Sequence, residues 1–191
     1  MSQHIVLRSF FISLISAFFF LTSDASAQAP APALVGYLHN WQDGNAPYIS
    51  PDNVDARYNI VDVAFAVPHV GTDYQMEFIP DQATQSAFIS QVQTLKNSGV
   101  KVLISVGGAT APISLSNATE RDTFISTMTS ILNTFGFDGM DIDFEGSSLS
   151  VSGGTIAAPV DAPVINLIYA VKQIMAAYQS NHGRRMILTM A

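Results

Sequence analysis

A single α/β domain of repeated parallel β/α units is what this sequence predicts, on three observations. Apolar runs of strand length alternate with amphipathic runs of helix length. The strand-length runs are apolar at nearly every residue rather than every second one, as in strands covered on both faces. The spacing between them is short and regular, with no long linker, internal repeat or low-complexity tract inside residues 34–191.

The elements follow in order. Arg8 behind a short polar start, the apolar run 10–21 and then Ala25-Ser26-Ala27 have the three-part layout of an export signal. The apolar run falls short of the ~20 residues of a membrane-spanning helix. Residues 1–27 are therefore expected to be removed on secretion, leaving a chain that begins at Gln28 and keeps no membrane contact. Residues 28–33 alternate Ala and Pro, which suits an extended spacer. The roughly 160 residues that remain suffice for one domain with its own core.

Strands are expected at 34–39, 60–67, 101–106, 137–144 and 186–190. Between them Phe88, Val92 and Leu95 recur at helical spacing, then Phe124, Met128, Ile131, Leu132 and Phe135, then Ile165, Ile168, Val171, Met175 and Tyr178. Each stripe is expected to pack on the sheet. Asn117 and Glu120 have the spacing of a capping box before the middle helix, and Gly99 stands where the first helix would stop. Asn117-Ala118-Thr119 is also a glycosylation sequon, although a helix cap accounts for Asn117 without a glycan. An open doubly wound sheet and a closed barrel share this alternation, and periodicity does not separate them.

Composition removes several function classes. A formal net charge of −7 provides no basic face for a phosphate backbone, so no nucleic-acid partner is expected. With no cysteine there is no disulfide, thiolate metal site or thiol nucleophile. His39 and His69 have no second ligand at metal spacing and are expected to satisfy local hydrogen bonds. No metal and no cofactor is expected.

The chemistry concentrates in the fourth strand. Asp141, Asp143 and Glu145 alternate with Ile142 and Phe144, so the three acids project from one face and the apolar pair from the other. Such acids are costly to bury unless paired, and they cannot all be ionised freely. A shared proton that leaves one of them able to act as general acid is expected. Two rival readings exist. One is a solvated acidic loop, against which the in-phase Ile142 and Phe144 speak. The other is a calcium loop, whose twelfth position should be a bidentate Glu but is Ser152.

The run Asp138-Gly139-Met140-Asp141-Ile142-Asp143-Phe144-Glu145 resembles, at every signature position, the D-G-x-D-x-D-x-E signature of glycoside hydrolase family 18, the chitinases and related endo-β-N-acetylglucosaminidases. Ser105-Val106-Gly107-Gly108 resembles the S-x-G-G element of that family, and Gly36-Tyr37-x-x-Asn40-Trp41 its first strand. Leu188-Thr189-Met190-Ala191 resembles the start of its fifth. The resemblance implies a (β/α)8 TIM barrel, truncated here after about the fifth strand, with 34–191 as a catalytic domain incomplete at its C-terminal side. Glu145 then ends the fourth strand, where catalytic groups of such barrels stand.

By the same resemblance, Glu145 protonates the glycosidic oxygen while the substrate's own acetamido oxygen attacks the anomeric carbon, so no enzyme nucleophile is required. Asp143 would hold the acetamido N–H, Asp141 would share a proton with Asp143, and Glu145 would return as general base for water. Tyr37, Trp41, Phe65, Ser105, Gly107, Gly108 and Asp138 are the further substrate-binding candidates. Trp41 is the best placed for stacking on a sugar, core packing is the alternative for the three aromatics, and Ser105 is a candidate to hold Asp141. Gly107 and Gly108 suit a tight turn as well as room for a sugar. The implied protein is an endo-acting, monomeric chitinase whose partner is chitin or N-acetylglucosamine oligosaccharide. The chitobiose core of N-glycans is an alternative substrate, and a sugar-binding barrel without chemistry an alternative function.

Overall fold

The structure, a computed structural model, describes residues 29–149 and 151–191. The expected signal segment 1–27 lies outside the described residues. Five parallel strands form where the apolar runs predict them: β1 (Val35–His39), β2 (Ile60–Pro68), β3 (Lys101–Gly107), β4 (Gly139–Asp143) and β5 (Ile187–Met190). They pair side by side in chain order, with a two-residue antiparallel strand, Met76–Glu77, added to β2. A doubly wound sheet reverses its strand order at a switch point, and none is present among the described strands. The order is that of a barrel wall whose two free edges are β1 and β5; the wall is not closed into a barrel.

Three helices follow β2, β3 and β4: α1 (Gln85–Asn97), α2 (Ala118–Phe135) and α3 (Ala162–His182). Between β1 and β2 there is only a single turn of 3-10 helix, Pro51–Asn53. The expected cap of α2 is present, with Asn117 Oδ1 accepting from the Glu120 amide at 3.1 Å. Glu120 reaches back to the amide of Ser116 rather than that of Asn117, so the box is displaced by one residue. Thr84 caps α1 in the same way through the Ala87 amide. A small hairpin, Gly154–Thr155 with Ala158–Pro159, stands in the connection between β4 and α3.

Register divides the sheet into two faces. Leu38, Val61, Val63, Val102, Ile104, Val106, Met140 and Ile142 all turn outward into one core with the helices. Burial of each such side chain contributes about 1.5–3 kcal/mol. The α1 and α2 stripes read from the sequence are the faces that meet them: Phe88, Val92 and Leu95, and Phe124, Met128, Ile131, Leu132 and Phe135. For α3 the expected stripe holds at Val171 and Tyr178, with Met175 half-buried against the core, and is corrected at Ile165 and Ile168. Ile165 and Ile168 are exposed, and the buried face runs through Leu167, Ala170, Val171, Ile174 and Tyr178. That helix is apolar most of the way round, so periodicity alone admits two stripes, and packing against the rest of the fold selects one.

The other face is the inner wall. Its first full row is Tyr37, Asp62, Leu103, Gly139 and Ile187, paired neighbour to neighbour across all five strands. The next row toward the strand C-termini sets Ser105 beside Asp141 and Asp141 beside Thr189, and the row beyond pairs Gly107 with Asp143. Ile60, Leu103 and Ile187 form a small apolar cluster at the base of this wall.

Candidate active site

The strand geometry expected for the acids holds as far as Asp143, where β4 ends; Phe144 and Glu145 lie just beyond it. Asp141 is 1% exposed, Asp143 is half-buried and Glu145 is exposed. The three are therefore strung out rather than gathered at one point, with about 6.6 Å of strand between Asp141 and Asp143 and Glu145 beyond the strand's end. This arrangement is a depth gradient, from a buried anchor to a group that meets solvent.

Asp141 is held by hydroxyls from three different strands. Tyr37 of β1 donates to Oδ2 at 2.6 Å, Ser105 of β3 donates to Oδ2 at 2.8 Å, and Thr189 of β5 donates to Oδ1 at 2.7 Å. Every one of these bonds is donated to the acid, which suits a carboxylate. Burial first, and then the bond to Asp141, hold the Tyr37 phenol above its ordinary value, so it remains a donor throughout the working pH range. Ser105 has no exposed surface, and its partner is Asp141.

The backbone around the acids is fixed by groups the sequence offers less openly. Gly107 and Gly108 have φ of +110° and +84°, where a side chain would be strained. A Cβ on Gly107 would come within 2.4 Å of the Asp143 carbonyl oxygen, and one on Gly108 within 3.0 Å of the Phe65 ring. The Gly108 amide donates to that same Asp143 oxygen at 2.8 Å. The space these glycines leave is thus taken by Asp143 and Phe65. Beyond the strand, buried Ser148 donates to the Glu145 carbonyl at 2.7 Å and accepts from the Ile113 amide at 3.1 Å. This bond pins the turn that carries Glu145 to the loop after β3.

Two adjoining cavities open at the C-terminal ends of the strands. One of about 400 Å³ is lined by Tyr37, His39, Trp41, Ala64, Phe65, Asp143 and Ala191. The other, of about 650 Å³, has Asn40, Trp41, Phe65, Glu77, Asp81 and Gly108 in its wall. Trp41 and Phe65 belong to both and lie nearly parallel, 6.2 Å between ring centres. Trp41 keeps 37% of its surface exposed, so the ring stands in the groove rather than in the core. Asn40 clamps the far wall, donating to the Ile79 carbonyl and accepting from the Asp81 amide.

One candidate is corrected. Asp138 precedes β4, at the opposite end of the strand from Glu145, and is 2% exposed. It pairs with Arg184 at 2.7 Å and Lys96 at 3.2 Å and accepts from the Val102 amide. It ties the base of the sheet together and is not brought to the groove. The histidines bond locally, His39 to the Pro47 carbonyl and His69 to Glu77. Among the described residues no group of three or more acids and histidines has the placement to hold a metal ion.

Sequence reasoning missed three residues, Thr189 and Asp62 on the inner wall and Ser148 in the turn beyond it. Thr189 and Ser148 carry no signal that separates them from other small polar residues. Asp62 does carry one, since it is a lone acid inside the apolar run 60–67. It is 2% exposed, and its Oδ1 is buried without a hydrogen-bond partner.

Comparison with known proteins agrees with this geometry. The model of the family "Glycosyl hydrolases family 18" matches residues 33–191. Chitinase Chi52 of Paenibacillus xylanexedens is 38% identical over 186 residues, covering 94% of this chain and 35% of its own. Chitinase D of Niallia circulans is 38% identical over 178 residues, covering 90% of this chain and 33% of its own. The chain thus spans about a third of the length of those relatives. The crystal structure of a family GH18 chitinase from Chromobacterium violaceum superposes with a TM-score of 0.70 at 32% identity, over 86% of this chain and 41% of that one.

Proposed function

From the premise that the chain belongs to glycosyl hydrolases family 18, we propose that the protein it forms part of cleaves β-1,4-linked N-acetylglucosamine polymers, chitin above all, with retention of configuration. Further strands would then complete the wall of five into a (β/α)8 barrel. The observation that carries the reading is the graded row on β4. Asp141 is locked at the bottom, Asp143 lines the smaller cavity, and Glu145 stands exposed just beyond the end of the strand.

Each acid has a task that its depth suits. Glu145, outermost, meets the glycosidic oxygen and supplies its proton. Asp143, facing the cavity, accepts the acetamido N–H and so holds the acetamido oxygen under the anomeric carbon. That oxygen attacks as the leaving sugar departs, and Asp143 stands against the positive charge that develops on the ring it forms. Asp141, tied to three strands, keeps Asp143 in register. Glu145, now a carboxylate, takes a proton from water, which opens the ring intermediate from the face the leaving group vacated. Two displacements at one carbon return the original configuration. The adjoining cavities and the shared Trp41 and Phe65 wall suit an internal stretch of polymer, which favours endo cleavage.

The test is Glu145→Gln in the full-length enzyme, assayed on a chitin oligomer. Hydrolysis is expected to fall by about 10² or more with the fold intact, and the first-formed product of the unaltered enzyme should carry the β-anomer. Near-normal turnover by the variant would place the acid elsewhere, and an α-anomer formed first would refute retention.

A further inference from the structure

Asp62 is a buried carboxyl for which the mechanism above has no use. It stands on the inner wall of β2, in the same row as Tyr37 and one row below Asp141. All three hydroxyls that converge here donate to Asp141, while Asp62 Oδ1 is enclosed without a partner. Its register neighbour on β1 is Tyr37, with His39 one row up and turned toward Pro47; Asp141 stands across β3 on β4, one row up, with its charge acting on Asp62, and Asp143 lies beyond. On β3 Leu103 is its register neighbour, with Ser105 one row up and Lys101, paired to Ile60, one row below.

Two buried carboxyls that feel each other's charge within one wall cannot both be charged without cost. The hydroxyl triad decides which one keeps the charge. We propose that Asp62 is a positioning residue, which carries a proton below Asp141 and so lets Asp141 remain the charged centre of its three hydroxyls. The role in catalysis rests on the glycosidase reading above; the proton itself does not. Burial first, and then the charge of Asp141, push the Asp62 carboxyl up to about 7.

The consequence is a charge that appears within the neutral range. Below about pH 7 Asp62 is neutral, and an Asn in its place reproduces its charge and shape. Above that pH Asp62 loses its proton to solvent and adds a negative charge beneath Asp141 and Asp143. A negative charge in this wall opposes the appearance of a further one among the acids above it, and so extends activity to higher pH.

The linked effect on stability has a fixed sign. A carboxyl whose pKa is raised on folding contributes stability at low pH that is lost as pH rises through the folded value. The window here runs from about 4 to about 7.

Asp62→Asn in the full-length enzyme tests both parts. Its unfolding midpoint should gain on that of the unaltered protein as pH rises from 4 to 7. In assays on a chitin oligomer the acid limb of the pH profile of kcat/KM should not move. The alkaline limb should shift downward by about half a unit. A midpoint difference that does not change with pH would overturn the proton on Asp62. A variant profile superposable on the unaltered one, or one displaced on its acid limb instead, would overturn the role in catalysis. An unaltered enzyme that hydrolyses no chitin oligomer refutes the glycosidase reading and this catalytic role with it, and the midpoint series still decides where the proton lies.

Discussion

Asp141 receives hydroxyls from β1, β3 and β5, so one carboxylate ties together strands that come from residues 37, 105 and 189 of the chain. The Tyr37 bond is the shortest of the three and comes from the side chain most nearly in the cavity, since the same ring lines the space in front of Asp143. Tyr37→Phe keeps that ring and removes one donor. A charge-assisted bond of this kind contributes about 1.5–3 kcal/mol, so kcat on a chitin oligomer is expected to fall by roughly tenfold or more. KM should change little, because the lost group acts on the acid and not on the sugar. A rise in KM at unchanged kcat would make Tyr37 a substrate contact instead. Ser105 and Thr189 would then carry the anchoring of Asp141 alone.

At the scale of elements, the same eight-residue signature serves two ends of one strand. Asp138 joins α1, through Lys96, to the segment leading into β5, through Arg184, and it accepts from the β3 backbone at Val102. Removing its charge leaves two cations facing each other, at a cost of about 2–3 kcal/mol. The figure falls below that for a fully buried pair because the Arg184 and Lys96 side chains keep 27% and 18% exposure. Asp138→Asn should therefore lower stability in urea unfolding and leave kcat/KM of the folded enzyme unchanged, whereas the reverse pattern would return Asp138 to the groove. The signature could not reveal this, because alternation tells which face a residue occupies and not which end of the strand it serves. Faces were legible for that reason: β4 alternates without interruption, and α2 has one apolar stripe. The face of α3 was not, since Ile165 and Ile168 compete with Leu167 and Ile174 on equal chemistry. Asp62 was hidden for a related reason, being a single polar residue that an apolar run absorbs without changing its pattern.

For the whole molecule, the two faces of the wall are unequal. Three helices and a continuous core cover most of the outer face. The sheet ends at two open edges, and apolar side chains there face solvent: on the inner face Val35 and Tyr37 of β1 at 42% and 50% exposure, on the outer face Leu188 and Met190 of β5 at 39% and 69%. Unpaired backbone groups beside exposed apolar side chains template further strand pairing, either with more of the same barrel or with another copy. A closed barrel of this class has eight strands, and the described wall supplies five. Residues 28–191 produced alone are therefore expected to self-associate and to hydrolyse chitin oligomers at a rate far below that of a full-length protein. Asp141 would still find its three hydroxyls, because all of them lie within the five strands, yet the groove would lack the wall opposite Trp41 and Phe65. Sedimentation and thermal unfolding alongside an activity assay decide the matter. A monomeric product that melts cooperatively and turns over substrate would mean that the hydroxyl-locked row on β4 and the groove beside it suffice, and that the open edges are tolerated.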